Sequence, residues 1–164
     1  MKPALLVIDI QTHFIDEPVA MKSLERAAWY INAAIELFRE KNLPVISIQH
    51  TNPKNGFTQE SEGFEVHKDI RILDTDPHII KTYGNAFNKT DLGKLLNDLG
   101  VDTLVITGYM AEACVLSTYR GAVDLDYVPI ILRGAIVSHT PEHEKFVENI
   151  GNLVSFGALK KLLA

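Results

Sequence analysis

The chain is nearly free of cysteine. Among 164 residues only Cys114 carries a thiol, which excludes a disulfide framework and any zinc or iron–sulfur site built from clustered cysteines. Long hydrophobic runs are also missing, since no segment approaches the ~18 apolar residues of a membrane span. Positive charge is not in excess. The formal net charge is −5 and no basic stretch occurs, which argues against nucleic acid and anionic membrane surfaces as partners. There is no dinucleotide fingerprint, Walker loop or HExxH pair. The apolar run Pro3–Ile8 is broken by Asp9 and Gln11, too early for the apolar region of a secretory signal. A cytoplasmic protein is the simplest expectation.

What is present is an ordinary apolar content of 46%, enough at this length for one core and a single domain over residues 1–164. Four short apolar runs, Ala4–Ile8, Val45–Ile48, Leu104–Thr107 and Val128–Leu132, are continuous instead of alternating. Strands covered on both faces have this pattern. His78–Lys81 and Leu153–Phe156 are candidates for edge strands. Between the runs lie helical patterns over Lys22–Lys41, Asp91–Leu99 (Thr90 as N-cap), Ala113–Leu125 and the segment opened by Thr140-Pro141-Glu142. The alternation predicts an α/β fold: a doubly wound, mostly parallel, Rossmann-like sheet with helices on both faces. Trp29 lies off the stripe of the first helix and marks either a groove filler or a subunit contact. The long segment Asn52–Lys68, rich in Pro, Gly and Ser, is either a binding loop or a surface excursion.

In such folds ligands bind beyond the carboxyl ends of the strands. Asp9 and Gln11, Gln49 and His50, Lys81, and the stretch Gly108–Cys114 all fall there. If a helix starts near Ala113, its free N–H groups and a cation such as Lys81 would favour the Cys114 thiolate, with Asp9 taking the proton. Against that, a lone Cys between Ala113 and Val115 is often a small core residue. Asp9 and Lys81 equally suit a plain charge pair.

Three motifs decide how these residues are weighed. Leu6-Val7-Ile8-Asp9-Ile10-Gln11 is followed by Phe14. Lys81-Thr82-Tyr83-Gly84-Asn85-Ala86-Phe87 is followed by Thr90-Asp91-Leu92. Ile106-Thr107-Gly108 leads to Ala111-Glu112-Ala113-Cys114-Val115 and Thr118. In order and spacing they resemble the isochorismatase-like cysteine hydrolases, the superfamily of nicotinamidases and N-carbamoylsarcosine amidohydrolase. The resemblance implies Cys114 as nucleophile, Asp9 as base and Lys81 as their electrostatic partner. It also implies a cis peptide at Tyr109–Met110 that presents the Met110 N–H to an oxyanion. Gln11, Phe14, His50 and Tyr83 are the candidate substrate contacts. The reaction would break a C–N bond of a small amide, carbamoyl or ureido compound through a thioester. The assembly would be a homo-oligomer.

Metal-binding nicotinamidases carry Asp-x-His after the second strand, where this chain has His50-Thr51-Asn52. A metal-independent site with no cofactor is therefore expected, and nicotinamide itself is in doubt as the substrate. Isochorismatase proper lacks the Cys, so its vinyl-ether chemistry is not favoured. The alternatives are a nicotinamidase proper, a non-catalytic α/β binding module, and a thiol redox sensor, the last without a second Cys to resolve it.

Overall fold

A computed structural model describes all 164 residues, Met1–Ala164. Six parallel strands form one sheet: β1 (Pro3–Ile8), β2 (Val45–His50), β3 (His78–Lys81), β4 (Thr103–Tyr109), β5 (Val128–Val137) and β6 (Leu153–Val154), in the order β3-β2-β1-β4-β5-β6. The chain winds outward in both directions from β1 and β4, so the crevice of this doubly wound fold opens between the carboxyl ends of those two strands.

The continuous apolar runs follow from cover on both faces. Leu5 and Val7 of β1 join one core cluster with Leu24, Ile31, Ile35 and Phe38 of α1 (Pro18–Glu40) and Leu159 of α5 (Phe156–Leu162). Ala4, Leu6 and Ile8 point the other way. They pack with Leu92 and Leu96 of α2 (Leu92–Asp98), Ala122 of α3 (Leu116–Asp124) and Val147 of α4 (Pro141–Ile150). Period-two alternation along a strand sends successive side chains to opposite layers.

Several boundaries differ from the sequence reading. Helix α1 starts one turn before Lys22, because Pro18 occupies its first position, where no N–H is needed. Asp91, not Thr90, is the cap residue of α2; the Thr90 hydroxyl accepts from Leu92 N–H at 3.3 Å and donates to the Ala86 carbonyl. The last edge strand stops at Val154. Ser155 then accepts a hydrogen bond from Ala158 N–H and caps α5, a helix too short to show a period in sequence. Trp29 stays 61% exposed, edge-on to Tyr30 and Phe156.

The long segment is pinned down instead of projecting. Val66 pairs antiparallel with Gln11. Thr12 and His13 N–H donate to Glu65 and Gly63 carbonyls, and His67 N–H donates to Ile10 carbonyl. The loop thereby roofs the chain leaving β1.

Candidate active site

Asp9 is the first residue after β1. Its φ is +50°, a left-handed conformation that Asp tolerates better than most residues, and its side chain is buried. Lys81 ends the edge strand β3 opposite His50 of β2. It is buried to 1% exposure, among the largest fully buried side chains in the protein. A buried ammonium needs an acceptor for each of its three N–H groups. Lys81 has three: Asp9 Oδ2 at 2.7 Å, His50 Nδ1 at 3.0 Å and Cys114 Sγ at 3.2 Å. Because Nδ1 of His50 accepts, the neutral ring carries its proton on Nε2.

Cys114 arrives from the other side of the crevice. Gly108, opposite Ile8 in the β1–β4 pairing, has φ +122°, and a Cβ there would lie 2.1 Å from the Ile8 carbonyl oxygen. Only glycine lets the two strands run this close. The peptide Tyr109–Met110 is cis. Residues Ala111–Val115 then form a π-helical turn ahead of α3, with Val115 N–H bonded five residues back to the Met110 carbonyl. The thiol thus sits within a π-turn that starts at Ala111, not in the first turn of an α-helix starting at Ala113.

The electrostatics correct one expectation. Burial and the Asp9 charge push the Cys114 thiol up to about 12, although Lys81 pulls it down. Burial raises the Asp9 carboxyl above its ordinary 3.8 against the pull of Lys81. A thiol raised this far favours its protonated form near pH 7. Asp9 Oδ1 is buried and has no hydrogen-bond partner, which leaves a lone pair able to accept a proton. His50 is held down to about 4, first by burial and then by Lys81, so its ring is neutral near pH 7.

Beside His50 lies a cavity of about 430 Å³ lined by His13, Phe14, Asn52, Asn55, Phe57 and Glu62 among others. Phe14 stacks on Tyr109 with ring centroids 5.5 Å apart, and Phe57 stacks on His13 at 4.1 Å. Phe14 and His50 both border this cavity. Gln11 does not offer its side chain to a ligand. It is fully buried, with Nε2 donating to the His50 and Phe64 carbonyls and Oε1 accepting from His50 N–H. It braces the strand end against the roof. Tyr83 is 42% exposed, takes a hydrogen bond from Lys89 and borders a separate, smaller hollow with Asn52, Lys54 and Thr82.

A family model for the isochorismatase domain matches residues 3–155. The chain belongs to the isochorismatase family. It is 35% identical over 148 residues to the isochorismatase family protein YddQ of Bacillus subtilis, covering 88% of this chain and 82% of that one. The crystal structure of an isochorismatase-like hydrolase from Alkaliphilus metalliredigens shares the fold across 100% of both chains, with a TM-score of 0.90 at 23% identity. That of N-carbamoylsarcosine amidase from Thermoplasma acidophilum matches 94% of this chain and 96% of its own, with a TM-score of 0.81 at 26% identity.

A metal ion does not fit the donors that this isochorismatase-family site offers. One carboxylate oxygen of Asp9, one ring nitrogen of His50 and Sγ of Cys114 lie within 4.8 Å of one another. All three already contact the Lys81 ammonium. A second cation beside it would meet like-charge repulsion and share its ligands.

Three polar residues cluster at the turn that carries Cys114, and the motifs give none of them a role. Glu112 accepts from Ser138 Oγ at 2.9 and 3.1 Å and pairs with His143 Nδ1 at 2.7 Å. They lie 26 and 31 residues apart in sequence, and no local pattern joins them.

Proposed function

We propose that this isochorismatase-family hydrolase is a metal-independent cysteine amidohydrolase for a small amide, carbamoyl or ureido compound. The observation that carries the reading is the Lys81 ammonium, buried and shared by Asp9, Cys114 and His50. Such a cation stabilises negative charge on either the carboxylate or the sulfur, so a proton can pass between them with little change in field. As the Cys114 sulfur bonds to the substrate carbonyl carbon, its proton goes to Asp9. The oxyanion is met by the N–H groups of Met110 and Cys114. The C–N bond then breaks, Asp9 returns the proton to the leaving nitrogen, and ammonia or an amine departs from a thioester. Water, deprotonated by Asp9, attacks the thioester and frees the acid, restoring the thiol. The similarity to an N-carbamoylsarcosine amidase supports C–N cleavage as the reaction class.

His50 Nε2–H and the Phe14 ring serve as substrate contacts in this scheme, the first donating a hydrogen bond and the second flanking a planar group. The test is a screen of small amides and ureides for released ammonia, with Cys114→Ala as background and intact-mass detection of an acyl adduct on Cys114. Turnover with wild type and none with Cys114→Ala is expected. Equal ammonia release by the two would overturn the reading.

A further inference from the structure

We propose that Glu112 is a positioning residue that holds the nucleophile turn in its π register; the idea rests on the cysteine chemistry proposed above. A π-turn holds one residue more than the corresponding α-turn and is rare except as single turns, frequently at functional sites, so a tether from outside the helix bears directly on whether it keeps that register. Relaxing to α would rotate Cys114 by roughly 100° about the helix axis and break its 3.2 Å contact with Lys81. The turn reads Ala111-Glu112-Ala113-Cys114-Val115, and Glu112 is its one charged side chain.

That side chain reaches across to a different part of the fold. Ser138, buried just past β5, donates its hydroxyl to the Glu112 carboxylate, while its Oγ accepts from Thr140 N–H. Ser138 N–H is tied in turn to Glu144 Oε1 at 3.0 Å. His143, from the first turn of α4, completes the clamp through Nδ1. Residue 112 is thus fixed to the β5–α4 connection, two positions before the nucleophile. Glu112 makes no bond to Asp9, Lys81 or His50, so it acts only through the placement of Sγ.

The test is iodoacetamide alkylation of Cys114, followed by mass across the neutral pH range and run beside thermal unfolding. In wild type the reaction extends below the ordinary thiol range, because Asp9 takes the proton as the S–C bond forms. In Glu112→Ala the low-pH rate falls roughly 10²-fold, the scale of a ~1 Å misplacement. Glu112→Gln, which still accepts from Ser138, recovers most of it. A Glu112→Ala protein with a lowered Tm but wild-type rate and pH profile would overturn the proposal, since a purely structural role moves only Tm. If Glu112→Ala does not fold, Ser138→Ala and His143→Ala each remove one tether. At least one must slow alkylation in folded protein, and if neither does, the proposal fails. Alkylation needs no substrate. A wild type that releases no ammonia yet shows the Glu112 effect sinks the amidohydrolase reading alone.

Discussion

Asp9 and Glu144 are both carboxylates in the interior, with 1% and 5% exposure, and they are treated in opposite ways. Glu144 is saturated. Its Oε1 accepts from Ser23 Oγ and Ser138 N–H, and its Oε2 pairs with Arg26. Asp9 is left half open, with Oδ2 on Lys81 and a buried Oδ1 that nothing in the chain satisfies. A fully paired buried charge ties elements together, here α1, α4 and the end of β5. A partly paired one is costly to keep and gives the molecule a lone pair that can take a proton. The difference lies in hydrogen bonding, not in depth.

Removing each carboxylate should separate the two roles. Asp9→Asn keeps the volume and an acceptor for Lys81 but removes the base, so ammonia release should fall by roughly 10²–10⁴-fold in a protein whose circular dichroism is unchanged. An Asn variant with near wild-type turnover would break the contrast. Glu144→Ala should do the reverse. It leaves two buried donors, Ser23 Oγ and Ser138 N–H, without their acceptor, at about 1–3 kcal/mol each, to be read from urea unfolding. Activity per folded molecule should fall far less than in Asp9→Asn, because Glu144 reaches Cys114 only at a remove, through Ser138 N–H and the Glu112 carboxylate.

The pH dependence sharpens the contrast further. In the proposed mechanism the Asp9–Cys114 pair works with a single proton, on sulfur. Acidification adds a second proton to Asp9 and removes the base. Because burial raises the Asp9 carboxyl, the acid limb of the rate profile should have its midpoint above 3.8. The thiol stands at about 12, so its ionisation should not bend the profile until well into the alkaline range. The raised carboxyl also sets a sign for stability. Ionised Asp9 opposes folding at neutral pH, and that opposition fades as pH falls through its native value toward the unfolded one. An acid limb below 3.8 would contradict the placement of Asp9. The smallest effect belongs to a site unrelated to either carboxylate: Ser155→Ala should remove the α5 cap and cost ~1 kcal/mol, with turnover unchanged.

Much of this was legible in the residues. Runs such as Leu104–Thr107 announce doubly covered strands, and strand-end Asp9, Lys81 and Cys114 are gathered by the topology alone. The resemblance supplies the roles proposed for them and the expectation of a cis bond at Tyr109–Met110. The π-turn was not legible, because Ala111–Val115 has the same apolar pattern in either helical form. Nor was the sign of the thiol shift. It depends on how burial and the Asp9 charge weigh against Lys81, a balance of distances that spacing does not encode. Gln11 looked like a pocket group by position, but its amide had closer partners in the folded-back loop. The Glu112–Ser138–His143 clamp joins three elements through contacts that exist only once the sheet is assembled.

Gly108 carries a consequence for how this protein can vary. Asp9, the proposed base, stands at the end of one strand and Cys114, the proposed nucleophile, follows the other, and the spacing between those strands is set where a hydrogen atom faces the Ile8 carbonyl. In a saturation library this position should behave as a notch. Even alanine, the mildest change, would wedge the two halves of the reaction centre apart, while neighbouring β4 positions exchange one apolar residue for another. Lineages that alter the roof loop to take new substrates would be free to do so, but they would inherit this one atom of clearance unchanged.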